Sequence, residues 1–261
     1  MKVVAFDIWG DYAHFRRFFT TVSALTYSFP PPTTVRGILG AILGFSKEEY
    51  LAKTGDFAIG IRVLNPVKRV WFSTNFIFTK GPSGEFEPSL IRSRKHGQGA
   101  PRTQVRLEYL RFPRFRLYVG GGQYLPQLEA LLQDHRTHFT VSLGLSELLA
   151  DFQYVGTYLA EPLPADTYPL VSVFPVDSLL HFPELTPELR LAKETVPIYL
   201  GLDRTPILFQ DVVVELQGHP ICVSLRGAHR LDNGEVVYLW APASMPTQAS
   251  SSRNTPTAPS A

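Results

Sequence analysis

Two hydrophobic periods alternate along the first half of the chain. Lys2 to Trp9 is rich in Val, Phe, Ile and Trp and reads as a buried first strand. Val35, Ile38, Leu39 and Ile42 then fall at i, i+3, i+4 and i+7, one apolar face of a helix. Pro30, Pro31 and Pro32 cannot lie inside a helix, so the spacing predicts a start with Thr33 or Thr34 as N-cap. Gly37, Gly40, Ala41 and Gly44 repeat the spacing on the opposite face. Glycines cost a helix roughly 1 kcal/mol each against alanine. Such a smooth face either packs tightly on a neighbour or lets a second backbone, of protein or nucleic acid, approach closely. The N-terminus of this helix presents free N–H groups and a positive dipole end, which suit a phosphate.

Ser46-Lys47-Glu48-Glu49 is a capping box that opens a second short helix, closed by Thr54-Gly55. Two strands follow, about Phe57 to Leu64 and Arg69 to Phe78, broken by Asn65-Pro66. Strand, helix, strand is the opening of a ferredoxin-like βαββαβ unit. Arg106 to Val119 reads as one long strand with a bend or edge position at Pro113. After Gly120-Gly121-Gly122, Leu125, Leu128, Leu131 and Leu132 mark a short amphipathic helix. The strand, glycine turn and helix lack a P-loop Lys-Ser/Thr and a full G-x-G-x-x-G, so no nucleotide loop is assigned. The triple glycine instead suits close approach of RNA or a neighbouring subunit. His138 to Leu143 is expected to close the first domain as a strand, and Leu143 to Asp151 to form a capped helical turn around Ser146.

From Phe152 to Trp240, short apolar runs are separated by Pro, Gly or Asp without a strong helix, which predicts a second, β-rich region. Asp232-Asn233-Gly234 is a hairpin turn. Pro242 to Ala261 is Ser, Thr, Ala and Pro without an aromatic residue and reads as a flexible tail. The expected organisation is residues 1–150, residues 151–242 and a tail at 243–261. The fold class is α+β.

The charge balance, 25 basic against 23 acidic residues, hides a local excess. Arg92, Arg94, Lys95, Arg102, Arg106, Arg111, Arg114 and Arg116 face the single acid Glu108 within 25 residues. They follow a Gly- and Pro-rich insertion that begins near Lys80 and is too long for an ordinary connection. With Tyr109, Phe112, Phe115 and Tyr118 among them, these cations have the mixed character of a single-stranded RNA surface. Arg16 and Arg17, between Phe15, Phe18 and Phe19, either grip phosphates while the rings stack on bases, or belong to a loop packed on the sheet. The single cysteine, Cys222, excludes an intramolecular disulfide and is expected in the core. No apolar run approaches the ~20 residues of a membrane helix. No metal-ligand spacing and no cofactor motif are found. A soluble cytoplasmic protein is expected.

The ordered stretch Thr26-Tyr27-Ser28-Phe29-Pro30-Pro31-Pro32-Thr33-Thr34-Val35-Arg36-Gly37-Ile38-Leu39-Gly40, after a strand ending in Gly10 and the Phe15–Phe19 segment, resembles the CRISPR-associated Cas-five family. The likeness is to its type I-B members and extends more weakly to about Trp240. It implies a RAMP subunit of ferredoxin-like fold that caps the 5′ handle of CRISPR RNA in a Cascade complex for antiviral defense. It also implies an inserted thumb, here about 80–105, and partners in a backbone subunit, a large PAM-reading subunit and, indirectly, target DNA. On this reading the protein is non-catalytic. Arg16, Arg17, Tyr27, Thr34, Arg36, Gly37, Arg92, Arg94, Lys95, Arg102, Arg106 and Ser146 are its RNA-contact candidates. Two alternatives stand beside it. One is a metal-independent endoribonuclease using Tyr27, Lys95 and His96, since relatives of the I-C subtype use a Tyr/Lys/His set on precursor RNA. The other is a generic single-stranded RNA-binding module.

Overall fold

The computed structural model describes residues 1–20, 24–77, 102–181 and 186–241. It is α+β, mostly strand, with few helices. A nine-stranded sheet has the order β10-β13-β8-β15-β14-β7-β1-β6-β3. Of these strands, β1 (Lys2–Trp9), β3 (Ala58–Val63), β6 (Arg114–Gly120) and β7 (Asp151–Pro162) form one end. The rest are β8 (Asp166–Leu170), β10 (Leu179–His181), β13 (Ile221–Leu225), β14 (Ala228–Leu231) and β15 (Val236–Tyr238). β1 lies between β6 and β7, antiparallel to both, and β6 is antiparallel to β3. A second sheet, β11-β12-β9, contains β9 (Phe174–Pro175), β11 (Leu191–Leu200) and β12 (Pro206–Glu215). A third, β2-β5-β4, contains β2 (Tyr12–Ala13), β4 (Arg69–Ile77) and β5 (Arg102–Arg111).

Helix α1 (Pro32–Leu43) connects β1 and β2 to β3 by way of the short α2 (Tyr50–Lys53), and α3 (Leu125–Gln133) connects β6 to β7. Val35, Ile38, Leu39 and Ile42 of α1 and Leu125, Leu128 and Leu132 of α3 are buried against Val4, Phe6, Ile8, Ile59, Ile61, Leu117 and Val119. The strand period of two places Val3, Ala5 and Tyr118 on the other face, against Leu231, Val237 and Leu239. The predicted amphipathic helices and the Asp232–Gly234 turn are present, the latter joining β14 to β15 with Gly234 at φ +88°.

Several boundaries differ from expectation. α1 begins two to three residues earlier, at Pro32 with Pro31 as N-cap, because proline has no N–H to leave unpaired in a first turn. Arg106 to Val119 is two strands in different sheets, not one. Phe112 takes φ +50°, Pro113 cannot donate to a ladder, and the chain passes there from the third sheet to the first. Residues 102–105, assigned to the thumb, are paired strand. His138 to Leu143 is no strand apart from an isolated Ser142–Leu149 bridge, and β7 takes the place beside β1. The triple glycine serves the protein itself. Gly121 and Gly122 have φ +67° and +76°, and a Cβ on Gly122 would stand 2.6 Å from the Phe57 ring. Cys222 is exposed, since Ile221, Val223 and Leu225 take the inward positions of β13. No helix among the described residues is long and apolar enough to cross a membrane.

Candidate nucleic-acid interface

β4 and β5 pair from Arg69–Leu110 to Ile77–Arg102 and form a two-stranded ribbon. It leaves the chain between β3 and β6, which are themselves paired. Alternation gives the ribbon two unlike faces. Val70, Val105, Leu107 and Tyr109 on one face pack with Tyr12, Ala24, Leu145 and Leu148. Phe72, on that face, meets Tyr12 and Tyr109 with ring centroids 5.2 and 5.4 Å apart. The other face carries Trp71, Ser73, Asn75, Arg102, Gln104 and Arg106. Trp71 is 42% exposed, and the Arg106 guanidinium lies over its ring at 5.4 Å. Arg102 is exposed at the far end. A cation beside an open indole suits a phosphate next to an unpaired base.

The segment between β2 and α1 is fastened to this ribbon by two buried carboxylates. Glu108 on β5 accepts the Thr26 N–H at 3.0 Å. Glu194 on β11 accepts the Ser28 N–H at 3.0 Å and its hydroxyl at 2.8 Å. Glu194 also pairs with Arg17 at 2.5 Å and with Arg69 at 3.3 Å. Arg69 in turn donates to the Ser28 hydroxyl at 2.7 Å. One network therefore joins ribbon root, loop and second sheet. Arg17 is held in this network, and its guanidinium lies 5.7 Å from the centre of the Tyr27 ring. Arg16 is exposed, and among the described residues its side chain bonds only to the Thr20 carbonyl, at 3.3 Å. Phe18 and Phe19 are exposed and lean on Phe209. Tyr27 is 3% exposed, and burial raises its phenol pKa.

A groove of about 310 Å³ runs along α1, lined by Thr33, Thr34, Gly37, Ala41, Tyr50, Thr140, Ser142 and Gly144, among others. Of the glycine face, Gly37 alone is open, and a Cβ there would meet nothing within 4 Å. Gly40 is closed by Tyr50, with Cβ 2.7 Å away. Gly44 is the left-handed C-cap at φ +81° and packs on His138. The smooth face thus divides into one open position and two internal contacts.

Thr34 and Gly37 come together in this groove, and Arg102 and Arg106 on the ribbon. Arg36 joins neither. It is buried, its guanidinium donates to the Thr54 carbonyl and, at 3.3 Å, to that of Phe57, and burial lowers its pKa to about 10. Arg36 fastens α1 to the segment entering β3. Arg36→Ala should destabilise the protein by about 2–3 kcal/mol, the cost of orphaned carbonyls and a cavity. Thermal unfolding measures this, and the folded fraction should bind RNA as the wild type does. Ser146 sits on an exposed turn and does not line the groove. Arg92, Arg94, Lys95 and His96 lie outside the described residues, as do most of the 80–105 insertion and the 243–261 tail. Among the described residues no group of three His, Cys, Asp or Glu could hold a metal ion.

Sequence reasoning passed over Trp71, Arg69, Glu108 and Glu194. Trp71 was legible, because Arg69, Trp71 and Ser73 are spaced by two on a strand already assigned. Arg36 also carried a signal, since it shares a helix face with Leu39, Gly40 and Leu43.

Residues 3–109 match the family model described as CRISPR-associated protein (Cas_Cas5). The fold is similar to that of a CRISPR protein from Archaeoglobus fulgidus, at 17% identity and a TM-score of 0.55, over 93% of this chain and 100% of that one. It is also similar to a chain of a CRISPR RNA-guided surveillance complex, at 14% identity and a TM-score of 0.53, over 84% of this chain and 91% of that one. None of the curated proteins matches.

Proposed function

We propose that the chain is a member of the CRISPR-associated Cas5 family, whose model matches residues 3–109, and that it binds and caps the 5′ handle of a CRISPR RNA as a non-catalytic subunit of a type I-B Cascade complex. The path β1–α1–β3, then β6–α3–β7, with sheet order β7-β1-β6-β3, supports reading this end of the sheet as the ferredoxin-like unit of RAMP proteins. The ribbon is then the stem of the thumb, inserted between β3 and β6. The handle crosses the Trp71, Arg102 and Arg106 face, passes the Arg16 loop and enters the α1 groove at Thr34 and Gly37. The observation that carries this reading is the two-faced ribbon, whose outer face combines an open indole with the guanidinium groups of Arg102 and Arg106, which form no ion pair among the described residues, while Arg69 at the root is paired with Glu108 and Glu194. The neighbour's place in an RNA-guided surveillance complex supports assembly with a backbone subunit and a large PAM-reading subunit.

The non-catalytic part of the proposal draws on Tyr27. Its hydroxyl is buried, and its raised pKa opposes its use as a base at neutral pH. Replacing Arg102 and Arg106 together with alanine should weaken binding of handle-bearing RNA at least tenfold. It should also reduce the slope of log K against log salt by roughly 1.4, two phosphate contacts on a single strand. Filter binding across a salt series measures both. Unchanged affinity and slope would remove the ribbon from the RNA path.

A further inference from the structure

At the root of the ribbon, away from the α1 groove, a cleft of about 450 Å³ opens between the ends of β1 and β6 and the start of β7. It is lined by Trp9, Asp11, Asn65, Phe112, Arg114 and Asp151, among others. The volume lies within the range of small-ligand sites. Its cation is fixed in place. Arg114 donates to the buried Asp7 at 2.8 Å and lies over the Trp9 ring at 5.1 Å, while its Nε is buried without a hydrogen-bond partner.

Phe112 is the feature that demands a use. Its φ of +50° is in the left-handed region, an outlier for a bulky side chain, and its ring is 52% exposed. Little burial therefore offsets the backbone cost. The turn itself is pinned, since the Phe112 N–H donates to the Asp11 carbonyl at 2.8 Å and its own carbonyl accepts from Asn65 Nδ2 at 3.1 Å. Glycine would hold the same turn without strain. A large ring kept on a strained, pinned backbone at the lip of a cleft marks a ligand clamp.

We propose that this cleft takes one unpaired nucleobase with N–H donors on its edge, guanine before the others. The negative charge of Asp11 and Asp151 disfavours a phosphate, and Asp11 accepts ring and exocyclic N–H groups, the Asp151 Oδ1 being taken by the Phe152 N–H at 2.8 Å and by His135 at 3.2 Å. Arg114 faces the acceptor edge that guanine carries as O6 and N7, and Phe112, whose ring has the Arg111 guanidinium 5.0 Å from its centre, offers a cation-backed ring for stacking. The inference rests on the RNA-binding reading only for the source of the base.

The test titrates the full chain with the dinucleoside monophosphates GpU and UpU, followed by tryptophan fluorescence, so that no handle is involved. GpU should bind at least fivefold more tightly than UpU. Asp11→Asn should cut that preference, and Phe112→Gly should abolish it while raising Tm by about 1–3 °C as backbone strain is relieved. Equal affinity for GpU and UpU overturns the proposal. So does a Phe112→Gly protein that melts lower and keeps the preference, or one that loses only a contact with another protein. A chain that prefers GpU but ignores a handle leaves the cleft standing and removes the handle reading, and the converse result does the reverse.

Discussion

Gly144→Ala is expected to abolish the native fold at physiological temperature. Gly144 has φ +103°, and a Cβ built on it would stand 1.9 Å from the carbonyl oxygen of His14 and 2.8 Å from its carbon. These are backbone atoms, and no rotamer moves them aside. The His14 N–H donates to the Leu143 carbonyl at 3.0 Å, so the two segments are already in contact. His14 is itself fixed, its Nδ1 donating to the Glu108 carbonyl at 2.7 Å. The substitution should therefore cost more than about 4 kcal/mol, the range reserved for clashes and strain that the fold cannot absorb. Soluble yield and a circular-dichroism melt check it. Gly37→Ala makes the opposite case, since its Cβ would enter open space within a helix. It should stabilise the chain by about 0.5–1 kcal/mol and weaken RNA binding by raising the groove floor. Stabilisation without any change in RNA affinity would take the groove out of the RNA path.

Glu194→Ala should lower stability by about 2–3 kcal/mol and Tm by roughly 5–10 °C. The carboxylate is 3% exposed and takes the Ser28 N–H, the Ser28 hydroxyl, Arg17 and Arg69. Without it, a buried N–H loses its acceptor and two guanidinium groups lose their counter-charge. Both arginines keep about a third of their side-chain surface in water, so the cost falls below that of a wholly buried pair. Glu194→Gln retains an acceptor for Ser28 without the charge and should lose about half as much. RNA affinity should fall in the alanine variant, because the network sets the loop between ribbon and groove. Thermal melts of the two variants side by side separate charge from hydrogen bonding, and equal melting of both with the wild type would contradict the anchoring role.

Elements with a strong local period were legible from the residues alone. The α1 face, the α3 leucines, the Asn65-Pro66 break and the Asp232–Gly234 hairpin all follow from spacing within about a dozen residues. What stayed hidden depends on pairings across long separations. The ladder of β1 with β7 brings residues together from opposite halves of the sequence, and nothing near Asp151 marks that strand as the neighbour of Lys2 to Trp9. Cys222 was misplaced for a different reason. Its run looks uniformly apolar as far as Val223, and only the period of two, with Ser224 also outward, turns it to solvent. Glu108 and Glu194 look in sequence like ordinary outward strand residues. Their burial comes from a loop 82 and 166 residues away laying its N–H groups on them. The site divided in the same way. Arg102 and Arg106 were found by charge density, whereas Arg36 was assigned outward because its cationic type outweighed its place beside Leu39 and Leu43.

Recognition of a CRISPR RNA handle is tested most directly by competition binding in EDTA. Labelled RNA carrying the authentic 5′ handle is challenged with unlabelled RNA of the same length, with the handle either intact or scrambled. The labelled RNA should be intact at the end of the assay, and the scrambled competitor at least tenfold weaker than the authentic one. Equal competition by both RNAs would reduce the chain to a generic single-stranded RNA binder, and site-specific cutting of the labelled strand would make it a nuclease.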